Sequence, residues 1–167
     1  MKGLLIWLLL GFAATAVAEY DVICLKGDCL KNGWSIFDTK TGNSSVVKCE
    51  DEDCRTKGWV ERPKRGIAVA QTSCIDDLCW QEGWVTYNFR TGATISENYC
   101  LSNDDGDGDC LKQGWETHFP GGSWARTLCI NNDCQEVGWE VHFFGGGFQT
   151  SRCKTGGCFK SGWTMYP

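Results

Sequence analysis

From residue 19 onward no apolar spacing of 3.6 residues is sustained. Apolar and polar positions instead alternate over short runs such as Trp34-Ser35-Ile36-Phe37, Val85-Thr86-Tyr87 and Trp139-Glu140-Val141-His142-Phe143-Phe144. Alternation puts every second side chain on one face of a strand, so these runs predict β-strands. Between them stand glycine breaks at Thr41-Gly42, Arg65-Gly66, Thr91-Gly92, Pro120-Gly121-Gly122 and Gly145-Gly146-Gly147. Glycine tolerates the positive φ that tight turns require, so each break predicts a reversal of the chain.

A second kind of punctuation is a repeat. Six times the chain runs cysteine, a gap, cysteine, three residues, Gly-Trp: Cys24, Cys29 and Trp34; Cys49, Cys54 and Trp59; Cys74, Cys79 and Trp84; Cys100, Cys110 and Trp115; Cys129, Cys134 and Trp139; Cys153, Cys158 and Trp163. These copies contain all twelve cysteines. A fixed period with one aromatic ring and one cysteine pair per copy means a single unit stacked on its neighbours. The predicted class is all-β: tandem disulfide-stapled β-hairpin repeats forming an antiparallel meander of about twelve strands, elongated or curled, over residues 19–167. The strand edges at the two ends of the array are expected to be available to a partner's sheet.

Spacing selects the disulfide pairing. In five copies four residues separate the cysteines, and the middle two are Lys26-Gly27, Asp51-Glu52, Asp76-Asp77, Asn131-Asn132 and Thr155-Gly156. A two-residue hairpin turn over each pair brings the cysteines on either side to Cα separations of about 4.5 to 5.5 Å. That lies within the range a disulfide spans. Six bridges within repeats are predicted, each closing a small ring worth about 2 kcal/mol of unfolded-chain entropy.

Burying an indole removes about 150 to 250 Å² from water, so the six tryptophans of the repeat are expected to pack between hairpins beside the bridges. The glycine before each marks a bulge or a close approach of backbones. Trp80, Trp124, Phe144 and Phe148 stand outside the repeat frame and are the candidates for an exposed binding surface.

The first residues have the layout of a secretory signal: Lys2, an apolar run from Leu4 to Phe12, and Ala16-Val17-Ala18 as a cleavage site, which sets residues 1–18 apart from the fold. Export agrees with the cysteines, since an even number at regular spacing reads as disulfides in an oxidising compartment, periplasmic or extracellular. No later apolar run is long enough to cross a membrane. Without Lys2, fifteen basic residues face twenty-one acidic ones, for a net charge near −6. Such a surface repels phosphate backbones and argues against nucleic acid as partner.

The fourth copy replaces its tight turn with an acidic stretch in which Asn103, Asp105 and Asp107 precede Gly108, matching the first half of a calcium loop but lacking its final glutamate. A solvated loop is the simpler reading. His118 and His142 occupy equivalent places in adjacent copies, which duplication explains, and they could share a metal ion only if their strands lay side by side. No nucleophile elbow, phosphate-cradling loop or zincin helix is present, and paired cysteines leave no thiolate, so neither an enzyme nor a cofactor is expected.

The Gly-Trp hairpins, from Gly33-Trp34 to Gly162-Trp163, resemble the choline- and glucan-binding repeats of bacterial surface proteins, which implies a glycan or choline ligand held by aromatic rings. Those modules carry paired tyrosines that this chain lacks, and they lack its cysteine pairs. The exported Cys-x4-Cys-x3-Gly-Trp chain as a whole also resembles a small accessory component of a bacterial Dot/Icm-type type IV secretion outer-membrane core complex. That resemblance implies a non-catalytic subunit docked on larger cell-envelope proteins. The leading expectation is therefore an exported structural or interaction protein, with a glycan- or choline-binding module as the alternative.

Overall fold

The computed structural model describes residues 19–102 and 108–167. Residues 1–18, expected to be a signal segment, and the candidate calcium-loop residues Asn103, Asp105 and Asp107 lie outside the described residues. Twelve strands follow one another: β1 (Tyr20–Cys24), β2 (Trp34–Asp38), β3 (Ser44–Cys49), β4 (Trp59–Pro63), β5 (Ala70–Cys74), β6 (Gly83–Asn88), β7 (Thr94–Cys100), β8 (Gly114–His118), β9 (Trp124–Cys129), β10 (Gly138–Phe143), β11 (Phe148–Cys153) and β12 (Trp163–Tyr166). Each pairs antiparallel with the next, and β1 pairs with β12 through Tyr20 opposite Met165 and Val22 opposite Trp163, which closes a barrel. The meander is as the alternation predicts. Closure corrects the expectation of open ends, because the first and last strands satisfy each other's backbone groups and neither is free to extend a partner's sheet.

The register shows why the array closes. Across one ladder the first cysteine of a repeat faces its tryptophan, and across the next ladder that tryptophan faces the residue two places before the following repeat's first cysteine. Cys24 thus leads to Trp34 and Val47, and Cys153 to Trp163 and back to Val22. The intervening repeats follow the same rule through Thr72, Asn98, Thr127 and Ser151. A slip of two residues at each of six repeats gives a shear of twelve for twelve strands. Equal shear and strand number tilt the strands by roughly 37° and, at ~4.8 Å between strands, set a wall radius of roughly 11 Å.

A lumen of that girth is too wide for ordinary core residues, and the six repeat tryptophans fill it. Their rings form an unbroken hexagon, Trp34 to Trp59 to Trp84 to Trp115 to Trp139 to Trp163 and back to Trp34, with centroids 5.2 to 6.0 Å apart and planes turned by 53° to 61° at each step. Each step is close to a sixth of a full turn. Centroids at that spacing lie about 6 Å from the axis, so each indole reaches inward across the remaining width of the wall, in tilted contacts that aromatic quadrupoles favour. Val22, Val47, Thr72, Asn98, Thr127 and Ser151, their ladder partners, are buried in the same layer.

Trp80 is half-buried at the end of the barrel and does not lie on its outer wall. It follows the second cysteine of the third repeat, and Phe159 follows that of the sixth, on the opposite side of the ring. The two meet over the hexagon at 5.5 Å, with Trp80 also 5.3 Å from Trp84 and Phe159 6.3 Å from Trp163. They plug the end of the barrel where the disulfides lie, and the Trp80 indole N–H is buried there without a hydrogen-bond partner.

All six bridges join cysteines of the same repeat, at Cα separations of 4.4 to 4.7 Å. The paired positive φ values of a two-residue hairpin turn occur at Lys26-Gly27, Asp51-Glu52, Asp76-Asp77 and Asn131-Asn132, while in the sixth repeat only Gly156 of its turn pair has one. After the second cysteine, however, the chain makes a further tight turn before its next strand. Asp28, Asp109 and Asp133 each accept backbone N–H groups two or three residues ahead and so cap these turns. The turns are also laced to one another: the N–H groups of Cys54, Cys79, Cys110, Cys134 and Cys158 donate to Leu30, Arg55, Trp80, Leu111 and Gln135 of the preceding repeat at 2.7 to 3.0 Å. In the fourth repeat Ser102 and Gly108 pair across the base of the insertion, so its bridge keeps the common geometry.

Among the described residues no helix is long and apolar enough to cross a membrane. The strands, four to seven residues each, are shorter than the 9 to 11 residues or so of a membrane-spanning strand.

Candidate binding surface

Because the tryptophans face the axis, the residues one, three and five places from them face outward. On β7 to β11 this places two rows of side chains side by side on the outer wall. One row runs Tyr99, Glu116, Arg126, His142, Phe148, each the ladder partner of the next. The row above it, nearer the glycine turns, runs Glu97, His118, Trp124, and then Phe144, whose N–H donates to the Trp124 carbonyl at 3.0 Å. Six of these nine side chains are aromatic rings. Trp124 lies 5.7 Å from Phe144, Tyr99 5.8 Å from His118, and His142 6.2 Å from Phe148.

The rings are open to solvent: Phe144 is 67% exposed, Phe148 59% and Trp124 37%. Three of the four aromatics singled out in the sequence therefore lie on one patch, and Trp80 does not join them. Tyr99, His118, His142 and Arg126 complete it, and the signal that finds them is the strict alternation counted from each repeat's tryptophan. The histidines are not a metal pair. Strand β9 separates β8 from β10, and each histidine instead places Nε2 3.4 to 3.5 Å from the carboxylate two residues before it, Glu116 or Glu140. Among the described residues no group of three metal-ligating side chains is brought together.

Each carboxylate of the patch is hydrogen-bonded within it. Arg126 donates to Glu116 through Nε at 3.0 Å and through a terminal N–H, and its guanidinium carbon lies 5.9 Å from the Trp124 ring. The hydrogen bond from Arg126 holds the Glu116 carboxyl below its usual 4.5. The Tyr99 hydroxyl donates to Glu97 at 3.0 Å, which raises the phenol above its usual 10. A carboxyl whose pKa is depressed by folding stabilises the fold above its unfolded value and loses that contribution as pH falls through the folded value. The melting temperature should accordingly fall more steeply with acid below about pH 4.5 in the wild-type protein than in Glu116→Gln. Parallel acid limbs would remove this ion pair from the account.

At the glycine-turn end the barrel opens into a cavity of about 960 Å³ between β1 to β4 and β12, walled by Tyr20, Ile36, Ser45, Glu61 and Met165, with Lys64 and Arg65 at its lip. One carboxylate oxygen of Glu61 accepts the Ser45 hydroxyl at 2.8 Å. Compared with known proteins, this chain matches no family model, no curated sequence and no solved structure.

Proposed function

We propose that this protein is a non-enzymatic interaction subunit of the cell envelope, rigid by construction, whose outer wall on β7 to β11 docks on a larger envelope protein. The observation that carries this reading is the contiguous patch of six aromatic rings around Arg126, left exposed in a fold that had interior room for aromatic side chains and filled it with others. Tyrosine, tryptophan, phenylalanine and arginine are the side chains that dominate protein interfaces. Six disulfides belong to an oxidising, exported environment. A periplasmic or outer-membrane station, including an assembly of the secretion-system kind, agrees with both features. All twelve cysteines are in bridges, so no thiolate remains for catalysis.

A photo-crosslinking residue at Phe148 should capture a discrete envelope protein, whereas the same residue at Phe37, exposed on β2 away from the patch, should not. The double variant Trp124→Ala/Phe144→Ala should abolish capture while changing stability by no more than about 1 kcal/mol, because both rings are surface groups. Equal capture from both walls would overturn the assignment. A glycan is the competing ligand for the same rings. It would displace the protein reading if a glycan panel shifted the tryptophan emission of the wild type but not of the double variant, with envelope capture unchanged.

A further inference from the structure

Just inside the mouth from the tryptophan hexagon lies a layer of lumen-facing positions two residues past each repeat tryptophan: Ile36, Glu61, Thr86, Thr117, Val141 and Met165. Five are uncharged. The sixfold repetition is an internal control, showing that the architecture places no demand for a charge at this level, yet Glu61 puts a carboxylate there. Ser45 holds one of its oxygens, and the group borders the open cavity between Tyr20, Ile36 and Met165. The cavity also takes in the half-buried Asp38 nearer the mouth, and a carboxylate set beside Tyr20, Ile36 and Met165 favours a cation that meets it there. Farther along the same chain, in the bend that follows β4 and no more than about 13 Å of chain away, Lys64 and Arg65 supply two cations at the lip.

We infer that the cavity is a binding site for a dipolar ligand of basic amino-acid chemistry. The ammonium or guanidinium end points inward to Glu61, with the Tyr20 ring beside it, and the carboxylate end is held by Lys64 and Arg65. An extended arginine separates its two charges by roughly 7 Å, and the long lip side chains close the remaining distance. Cation and ring attract through the ring quadrupole. The arrangement fits either free arginine or lysine, or the free C-terminal basic residue of a protein, whose preceding residues would leave through the open mouth. This site is separate from the outer-wall patch and stands or falls without it.

Calorimetric titration of the intact mature protein with L-arginine, with Gly-Gly-Arg as free acid, and with the same tripeptide amidated tests the assignment. The wild type should give saturable heat with at least one of the two free-carboxylate ligands. Glu61→Gln, which can still accept from Ser45, should weaken that binding at least tenfold with an unchanged melting temperature. Arg65→Gln should weaken the free acid but not the amide. Preference for the tripeptide identifies a chain terminus as the ligand, and equal or better binding of L-arginine identifies the free amino acid. No saturable heat with either free-carboxylate ligand, or equal affinity in Glu61→Gln and wild type, would overturn the proposal.

Discussion

Gly114→Ala is expected to leave no folded barrel, whereas Gly42→Ala should cost only about 1 kcal/mol. Both glycines have positive φ, +98° and +72°. They differ in what a methyl group would meet. At Gly42 there is nothing within 4 Å, but at Gly114 the added carbon would stand 2.0 Å from the Thr127 carbonyl oxygen, which is backbone of the neighbouring strand and cannot turn aside. The other five glycines that precede a repeat tryptophan meet a neighbouring carbonyl at 1.9 to 2.1 Å in the same way, including Gly162 against Val22 across the closing seam. Relief would require β8 and β9 to part at the level of the hexagon, exposing Trp115 and undoing the register on which closure depends. Strain in this region of φ and ψ costs about 1 to 3 kcal/mol before any clash is counted. Near-ultraviolet circular dichroism and thermal melting of the two variants decide the matter. A native spectrum for Gly114→Ala would show that the strands can separate locally.

Full reduction of the six disulfides should unfold the protein at neutral pH without denaturant. Each five-residue separation closes a ring worth about 2 kcal/mol of unfolded-chain entropy, and the longer ring of Cys100 and Cys110 slightly more. The rings follow one another along the chain without overlapping, so the contributions accumulate to roughly 13 kcal/mol. Domains of this size are stable by about 5 to 15 kcal/mol in total. The core offers little to make up the loss, since among the described residues the buried apolar ones apart from the cysteines and tryptophans are only Val22, Val47, Ala68 and Ala125. Tryptophan emission should shift to the red on complete reduction as the hexagon meets water, and mass spectrometry establishes that all twelve thiols are free. Retention of the native emission by the fully reduced chain would assign the stability to the indole ring alone.

These two expectations rest on features of different legibility. The pairing of cysteines within each repeat could be read from the chain because four intervening residues with turn formers at their centre leave the two sulfurs little choice of partner. The alternation of strands and glycine turns was legible for the same reason, since both are governed by groups a few residues apart. The turn that follows each second cysteine went unread, although Asp28, Asp53, Asp109 and Asp133, each just before that cysteine, cap it through backbone N–H groups two or three residues ahead and are the local signal for it. Trp80 looked like a surface ring because nothing near it in the chain announces Phe159 on the far side of the barrel. The outer-wall patch was half visible: Trp124, Phe144 and Phe148 stood out as extra aromatics, whereas Tyr99 and Arg126 look ordinary until the ladders set them beside Glu116.

By itself, then, the amino-acid order determined the repeating unit: two strands, a stapled turn, an indole and a glycine with room for nothing larger. Whether six such units would lie in a line or join end to end was decided by the tertiary structure. Each repeat slips the register by two residues, a quantity that belongs to the contact between neighbours. Only when the slips have gone once around does Val22 come opposite Trp163 and the wall close at a radius that six indoles can fill. The same closure decided that Glu61 faces the lumen and that the aromatic rows face outward, because a strand's two faces become inside and outside only when the sheet meets itself.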